Sequence, residues 1–418
     1  MHRIERNSDR SIDEASTATH RVALFSLPAY GHVNPTLRTA RELIERGHDV
    51  TYYLPERFAE VVEPTGATFE RLDGDYDLMD HIDAEKPGTD STDSDADERR
   101  ERLVRFMSGR LDAVPSLVDR VAGDGADGVV TDPMCLWGRA VADELDVPTV
   151  SFNTSFAMRE GSPLIEHLRS SDGGGPPLPS AITDVLTAFD IDDPDPSDFF
   201  VADADRSIVP LTREFQPDDE SFGDDHAFVG PMVRAGGEQR DAGLPLDRLT
   251  ERPSVYISLG TVVHGDDDFF ETCIDAFDDG DWEVVLKAKG DAERLDAESP
   301  GNVHVRSRVP QLDVLERVDA FVTHGGMNST MESLSLGTPS VVVPQMADQY
   351  LVAKQVETSG VGIALDREDP TAVELRDAVE TVSAAAYYGA IEEFNASAGA
   401  AGGAERAADV IEKAMADG

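Results

Sequence analysis

Positive charge is scarce in this chain. Of its 418 residues, 36 are Lys or Arg and 83 are Asp or Glu, which gives a formal net charge of −47. A field of this sign repels phosphate backbones and anionic lipid headgroups, so it disfavours charge-driven binding to nucleic acid or to a membrane surface. At molar salt the screening length falls to about 3 Å and the self-repulsion largely disappears. The composition therefore favours a cytoplasmic protein of a halophilic, salt-accumulating microbe.

Cysteine and long apolar runs are also missing. Cys135 and Cys273 lie far apart in the sequence, which excludes a disulfide framework or a zinc cluster and agrees with a reduced compartment. No run approaches the roughly 20 apolar residues that span a bilayer. Residues 1–20 are polar and lack the apolar core of a signal peptide. We expect a protein that is neither exported nor embedded in a membrane, with a disordered leader over residues 1–20.

Short β-branched runs alternate with helical patterns from residue 21 onward. This alternation predicts an α/β protein with parallel sheets and helices on both faces, and the length suits two domains. The predicted domains are residues 21–215, an acidic Gly- and Pro-rich linker over residues 216–249, and residues 250–418, whose last helix is free to pack back on the first domain. The predicted strands of the first domain are Arg21–Leu27, Asp49–Leu54, Gly128–Thr131 and Thr149–Phe152.

His32 stands where an open α/β sheet places ligand-contacting groups, just after the first predicted strand. Asn34 and Pro35 suit the N-cap and the first position of the helix that follows. The positive end of that helix would keep the imidazole neutral, which is the form that a general base needs. Asp132 follows the predicted strand Gly128–Thr131, so its carboxylate is the natural partner of His32.

The alternative is structural: His32 bonds to its own turn, and Asp132 caps the following helix. The sequence leaves these two interpretations open. There is no G-x-S-x-G elbow, no G-x-G-x-x-G after a strand and no P-loop, so a covalent hydrolase, a Rossmann dehydrogenase and a P-loop enzyme lack support. D-x-D patterns arise by chance in so acidic a chain, so we predict no metal site.

A second set of polar residues lies in VPQLDVLERVDAFVTHGGMNSTMESLSLGTPSVVVPQMADQYLVAKQ, residues 309–355. A strand is followed there by a His-Gly-Gly loop and by a helix predicted over Asn328–Leu336. The glycines let a phosphate approach the backbone, and the start of the helix offers free N–H groups and a positive dipole. His324, Asn328 and Ser329 add side-chain donors, so the stretch predicts a diphosphate site that needs no cation.

Carboxylate and amide groups nearby suit sugar hydroxyls. Glu332, one turn into the helix, can accept two hydroxyl hydrogens from a ribose, and Asp348 and Gln349 can contact a hexose. Ser258–Thr261 predicts another small polar loop near the phosphates. The alternative treats the glycines as a turn, Glu332 as a solvated helix residue and Asp348 and Gln349 as a cap. The order of these residues along two consecutive β-α units favours a nucleotide-sugar site.

The same stretch resembles the signature of the family 1 glycosyltransferases, especially the bacterial and archaeal macrolide-type UDP-glycosyltransferases. The resemblance rests on VPQLDVL, HGGMNSTMES and PQMADQ, and it extends to PAYGHVNPTLRTARELIERGHDVTYYLP, VVTDPMCLWGRAVADELDVPTVSF and YISLGT. It implies the GT-B fold, in which two Rossmann-like β/α/β lobes face a central cleft. It also implies an inverting, metal-independent enzyme with no cofactor beyond its UDP-sugar co-substrate.

Carried over by matching positions, the resemblance makes His32 the catalytic base, Asp132 its partner and Gln311 a contact to uracil. The donor-binding residues that it implies are Thr261, Arg308, Val309, Gln311, His324, Gly326, Asn328, Ser329, Glu332, Asp348 and Gln349. Two positions depart from the family pattern. Arg308 replaces the usual aromatic residue that stacks on uracil, although a guanidinium can also stack on a base. Val352 replaces the usual Asn of the D-Q-x-x-N-A motif, which puts one phosphate or sugar contact in doubt.

The expected reaction is transfer of a hexose, glucose by preference, to a hydroxyl of a small hydrophobic or phenolic acceptor. Phe152, Phe156 and Met158 are predicted to bind the acceptor, with a role in the core as the alternative. Two other functions stay open: a UDP-GlcNAc-using GT-B enzyme, either an epimerase or a lipid-linked sugar transferase, and a non-catalytic nucleotide-sugar-binding protein. We expect a monomer or a homodimer.

Overall fold

The computed structural model describes residues 18–73, 106–107, 109–159, 161–162, 165, 183, 185–187, 189, 196–201, 204–233, 243–260, 267–288, 292–345, 347–365 and 370–417. The predicted leader therefore lies almost wholly outside the described residues, as does Thr261. Two parallel sheets, one in each half of the chain, organise the described part.

The first sheet has seven strands in the order β3-β2-β1-β4-β5-β6-β7. Their bounds are β1 Arg21–Phe25, β2 Asp49–Leu54, β3 Thr68–Arg71, β4 Gly128–Thr131, β5 Thr149–Phe152, β6 Arg206–Val209 and β7 His226–Phe228. The second sheet has six strands in the order β10-β9-β8-β11-β12-β13. Their bounds are β8 Ser254–Ser258, β9 Glu283–Lys287, β10 Val303–Arg306, β11 Ala320–Thr323, β12 Ser340–Val342 and β13 Gly362–Ala364.

Helices cover both sheets, and the described part contains thirteen α-helices. Their bounds are α1 Tyr30–Val33, α2 Thr36–Glu45, α3 Ala59–Val62, α4 Val114–Asp124, α5 Leu136–Leu145, α6 Asp267–Asp275, α7 Ala292–Glu298, α8 Gln311–Leu315, α9 Met327–Ser335, α10 Ala347–Thr358, α11 Ala372–Val382, α12 Ala385–Ala400 and α13 Gly403–Asp417. None of these helices is both long enough and apolar enough to cross a membrane.

The predicted strands of the first domain are confirmed. Strands β2, β4 and β5 have the predicted bounds, and β1 ends two residues earlier, at Phe25. Strands β4 and β5 are buried along their whole length, as parallel strands between two helical layers must be. In each sheet the strand order reverses next to the first strand, between β1 and β4 and between β8 and β11. Open α/β sheets bind ligands beyond the carboxyl ends of the strands at such a point.

The predicted linker over residues 216–249 is wrong in its first part. Strand β7 lies within it and pairs in parallel with β6, so the first sheet continues to Phe228. The error has a physical cause, because β7 is a three-residue edge strand between acidic turns and has no apolar periodicity of its own. Leu249, near the end of the predicted linker, packs in the core of the second lobe.

An apolar cluster joins the two lobes. Phe156 and Phe215 from the first half pack with Met331, Val352 and Phe394 from the second half. Val352 is 1 % exposed in this cluster. The Val at this position therefore contributes to the interface between the lobes, which accounts for an apolar residue where the family pattern has Asn.

The last helix, α13, returns to the first lobe. Its apolar face, which includes Ile411 and Met415, lies in the same core cluster as Val22 and Leu24 of β1. Polar contacts hold its other side, since His48 Nε2 lies 2.9 Å from Glu412 Oε1. The two lobes are thus connected twice, once through residues 229–250 and once through the turn between α12 and α13.

Candidate active site

His32 and Asp132 form a close pair at the carboxyl edge of the first sheet. Asp132 follows β4, and His32 lies in α1, in the segment after β1. His32 Nδ1 is 2.6 Å from Asp132 Oδ2. Because a carboxylate can only accept a hydrogen bond, Nδ1 carries the proton and Nε2 is left with its lone pair. The side chain of Asp132 is 2 % exposed, whereas that of His32 is 26 % exposed. The pair predicted from the sequence is therefore present, and the imidazole is its solvent-accessible member.

Thr154, which the sequence analysis does not predict, is hydrogen-bonded to both members of this pair. Its hydroxyl lies 2.9 Å from His32 Nδ1 and 3.5 Å from Asp132 Oδ2. The hydroxyl can accept a hydrogen bond from Nδ1–H while it donates one to the carboxylate. Residues that follow β1, β4 and β5 are therefore hydrogen-bonded to one another. Asp132 Oδ1 accepts the backbone N–H of Met134 at 2.9 Å, which fixes the carboxylate. The position of Thr154 directly after the strand that neighbours β4 is the only sequence signal that points to it.

The local helix differs from the prediction. His32 lies in the last turn of the one-turn helix α1, and α2 starts separately, with Pro35 rather than Asn34 at its N-cap. The expected lowering of the imidazole pKa by a helix N-terminus is wrong. Burial lowers it, but the charge and hydrogen bond of Asp132 and the charge of Asp348 outweigh burial and raise the pKa of His32 above 6.5. The neutral form of His32 is therefore populated at a higher pH than that of a free imidazole.

On the second lobe, His324 directly follows β11 and lies between two glycines. A Cβ atom added to Gly260 or Gly326 would overlap the imidazole ring, so both positions require the absence of a side chain. Burial, helped by the charge of Lys287, lowers the pKa of His324 to about 4, so the ring is neutral near pH 7. Its Nδ1 is fully buried, and the ring forms a hydrogen bond with the backbone of Ser258. The neutral ring packs against Gly326 at the start of α9, a position that suits an oxygen-rich ligand.

Four of the predicted donor-binding residues form one hydrogen-bonded network. The carboxylate of Glu332 accepts from Asn328 Nδ2 at 2.9 Å and from Gln311 Nε2 at 2.6 Å. Gln311 Nε2 also lies 3.2 Å from Ser329 Oγ, and Tyr256 donates to Gln311 Oε1 at 3.2 Å. The network fixes the amide and carboxylate groups where the resemblance places uracil and ribose.

The remaining predicted donor residues are arranged less tightly. Arg308 is exposed, and Val309 is half-buried against the core of the second lobe. Gln349 is 4 % exposed, and its Oε1 accepts the backbone N–H of Gln345 at 2.8 Å. Asp348, in the first turn of α10, is exposed. Desolvation by the surrounding protein raises the pKa of Asp348. Hydrogen bonds from its own backbone N–H and from that of Gln349, together with the charge of His32, oppose this increase without cancelling it.

Asp348 and His32 belong to different lobes, yet each changes the pKa of the other. Charges influence one another in this way only over short distances. Helix α1, which carries His32, and the start of α10 therefore lie near each other on opposite lobes. This arrangement brings the predicted base and the predicted hexose-binding carboxylate to opposite sides of one space.

The acceptor-binding prediction is wrong for Phe152, which is 1 % exposed in the core of the first lobe. It is the last residue of a strand buried on both faces, so its ring packs between sheet and helices. Phe156 is 4 % exposed in the cluster between the lobes, and Met158 is half-buried at its margin. Phe156 and Met158 thus lie near the cleft, but mainly as packing residues.

Comparison with known proteins agrees with this arrangement. The model of the family described as "Erythromycin biosynthesis protein CIII-like, C-terminal domain" matches residues 271–408. NDP-glycosyltransferase YjiC of Bacillus subtilis is 33 % identical over 412 residues, covering 95 % of this chain and 97 % of the relative. Oleandomycin glycosyltransferase of Streptomyces antibioticus is 31 % identical, covering 95 % of this chain and 91 % of the relative.

The chain belongs to the macrolide-type UDP-glycosyltransferases of family 1. Among solved structures, the calicheamicin glycosyltransferase CalG4 superposes with a TM-score of 0.76 at 27 % identity, covering 95 % of this chain and 98 % of CalG4. The two-lobed architecture is therefore the GT-B fold, as the resemblance implied. A UDP-glycosyltransferase of this family binds a nucleotide sugar and an acceptor.

We expect Asp132→Asn to lower the pKa of His32, because the charge and hydrogen bond of Asp132 raise it. The measurement is a pH titration of the His32 imidazole by NMR in molar potassium chloride. The wild-type imidazole should titrate above pH 6.5 and the variant at lower pH. Asp225→Asn, which removes a carboxylate 2.9 Å from His226 instead, is the matched control and should leave His32 unchanged. An unchanged His32 titration in Asp132→Asn would show that the pair is not formed in solution.

Thr154→Val should lower kcat by about tenfold and leave the KM for the UDP-sugar unchanged. The expected factor follows from one lost hydrogen bond to a charged pair, on the order of 1.5 kcal/mol. Thr154→Ser, which keeps the hydroxyl, should restore kcat to within about twofold of wild type. A purely structural role predicts instead that both variants reduce thermal stability while kcat is retained, and that result would contradict the assignment.

Proposed function

We propose that the enzyme transfers a hexose, glucose by preference, from a UDP-sugar to a hydroxyl of a small hydrophobic or phenolic acceptor with inversion at the anomeric carbon. The observation that carries the proposal is the His32–Asp132 pair, which faces the start of α10 across the cleft. A base on one lobe and a sugar-binding edge on the other form the arrangement that single-displacement transfer requires.

In the proposed step, His32 Nε2 takes the proton of the acceptor hydroxyl while the hydroxyl oxygen attacks the anomeric carbon. The bond between that carbon and the diphosphate oxygen breaks, and its electron pair leaves on the diphosphate. An α-linked sugar thus becomes a β-glycoside. Asp132 accepts the hydrogen bond of Nδ1–H and stabilises the imidazolium that forms. The raised pKa of His32 makes it a stronger base than free imidazole, provided that the pH keeps it neutral.

The leaving diphosphate would be stabilised by the start of α9. N–H groups at a helix N-terminus and the neutral His324 ring supply donors where negative charge develops. We therefore propose that transfer requires neither a divalent metal nor another cofactor. The direct test is transfer activity in the presence of a strong chelator, which should equal the activity without it.

The names of the relatives support the proposed substrates. One Bacillus subtilis relative, 32 % identical, is described as "Uncharacterized UDP-glucosyltransferase YojK". The names of others refer to oleandomycin, demethyllactenocin and calicheamicin. The first name supports a UDP-hexose as donor, and the other three support a natural product as acceptor.

His32→Ala should lower kcat by about 1000-fold, because general base catalysis contributes roughly 10²- to 10⁴-fold. Binding of UDP should persist, since the donor network lies on the other lobe. The measurements are product formation with UDP-glucose and a phenolic acceptor, and calorimetric UDP binding, both in molar potassium chloride. His226→Ala is the matched control, because His226 is also half-buried beside a carboxylate but lies outside this cleft.

An active His32→Ala variant would remove His32 from the role of base. Loss of UDP-sugar without glycoside would favour an epimerase. UDP-glucose binding by the wild type without turnover over a broad acceptor panel would favour a non-catalytic nucleotide-sugar-binding protein. A screen of acceptors and UDP-sugars by mass spectrometry therefore tests the proposed function and identifies the substrates in one experiment.

A further inference from the structure

A cavity of about 580 Å³ lies where the two lobes are joined. Its walls come from β6, β7, the segment 212–214 and the helices α12 and α13. The two crossings of the chain between the lobes meet beside it, since the N–H of Gly403 donates to the carbonyl of Val229 at 2.8 Å. The cavity shares no lining residue with the His32 pair or with the Glu332 network.

Positive charge is concentrated in this cavity, in contrast to the rest of the protein. Its lining includes four permanent cations and two acids. The cations are Arg206, Arg213, Arg406 and Lys413, and the acids are Glu214 and Asp224. Acids outnumber cations by 83 to 36 in the whole chain, so this local excess reverses the overall balance. A cavity of this size accommodates a small metabolite.

Two of the cations lack a partner. The side chains of Arg406 and Lys413 make no hydrogen bond or ion pair with any other residue that the structure describes. They lie seven residues apart on α13, which puts both on one face of the helix, two turns apart. In a chain with so many carboxylates, two unpaired cations on the wall of one cavity are available for a ligand.

A third cation is held in place by the protein. Arg213 Nη1 donates to the carbonyl oxygens of Asp219 at 2.9 Å and Phe222 at 3.2 Å, and the guanidinium lies 4.4 Å from the ring centre of Phe228. These contacts fix the guanidinium and leave other N–H donors unused, because Arg has five. A preorganised guanidinium loses little entropy when it binds a tetrahedral oxyanion, for which its geometry is well suited.

The remaining polar groups agree with an anionic ligand. Arg206 Nη2 lies 3.3 Å from Asp417 Oδ2, a long contact that leaves most of its donors unused. Glu214, one of the two acids, accepts a hydrogen bond from Ser397 Oγ at 2.8 Å, so one of its oxygens is already occupied. Long-range attraction is screened at molar salt, so recognition must come from direct, charge-assisted hydrogen bonds of the kind that arginines make.

We propose that this cavity binds a small anion through a phosphate group, supplied by inorganic phosphate or by a sugar phosphate. The site goes beyond the transfer reaction proposed above and does not depend on it. An occupant would contact β6 and β7 of the first lobe together with α12 and α13, and would therefore stabilise the junction between the lobes.

The test is calorimetric titration of the full-length protein with inorganic phosphate and, separately, with a hexose phosphate, in molar potassium chloride. Each titration is performed with and without saturating UDP, which occupies the phosphate-binding start of α9. The variant is Arg406→Ala with Lys413→Ala. The control with the same change in charge is Arg38→Ala with Arg41→Ala on α2. Arg406→Gln with Lys413→Gln keeps the long side chains and serves if the alanine pair fails to fold.

We expect phosphate to bind in the presence of UDP, at least tenfold more weakly to the Arg406/Lys413 variant, and equally to the Arg38/Arg41 control. The factor corresponds to the loss of at least one charge-assisted contact, worth about tenfold. Tighter binding of the hexose phosphate identifies an ester as the ligand, and equal binding identifies inorganic phosphate. No binding by the wild type, binding that UDP abolishes, or equal binding by the variant would overturn the proposal.

Discussion

The buried carboxylate of Asp132 is the constraint on which the catalytic side of this enzyme depends. An ionised group that is 2 % exposed is costly unless it is paired and hydrogen-bonded. Its partners are an imidazole from the segment after β1, a hydroxyl from the segment after β5 and the N–H of Met134. The hydrogen bonds to Asp132 therefore align residues that follow β1, β4 and β5. The imidazole is left with one lone pair, on Nε2, which is directed away from the carboxylate. The need to pair one carboxylate thus positions the base.

In the proposed reaction the second lobe has a different requirement, which is to hold a diphosphate in a protein with few lysines. A helix start, glycines that admit the ligand and a histidine kept neutral by burial provide donors without net charge. These short contacts keep their strength at molar salt, whereas distant ion pairs are screened. The acidic composition and the uncharged donor site are therefore compatible. The apolar cluster around Val352 and Phe394 then fixes the two lobes beside each other.

Much of this could be predicted from sequence because the signals are local. Buried parallel strands are short apolar runs, and the predicted helix Asn328–Leu336 differs from α9 by one residue at each end. The features that were missed depend on contacts distant in sequence. Thr154 is an ordinary loop residue until the fold places it beside His32, β7 is defined by its pairing with β6, and the pKa of His32 depends on carboxylates about 100 and 316 residues away. Phe152 belongs to the core, and the sequence does not show this because apolar side chains of a core and of a binding site look alike in sequence.

The central claim is that the base of one lobe faces the sugar-binding edge of the other. The most direct measurement is the NMR titration of His32 in Asp348→Asn, in molar potassium chloride. Because the charge of Asp348 raises the pKa of His32, its removal should lower that pKa. Asp409→Asn, which removes a distant charge on α13, should have no effect because such charges are screened. If His32 titrates identically in Asp348→Asn and in the wild type, the two lobes do not meet as described and the catalytic account fails.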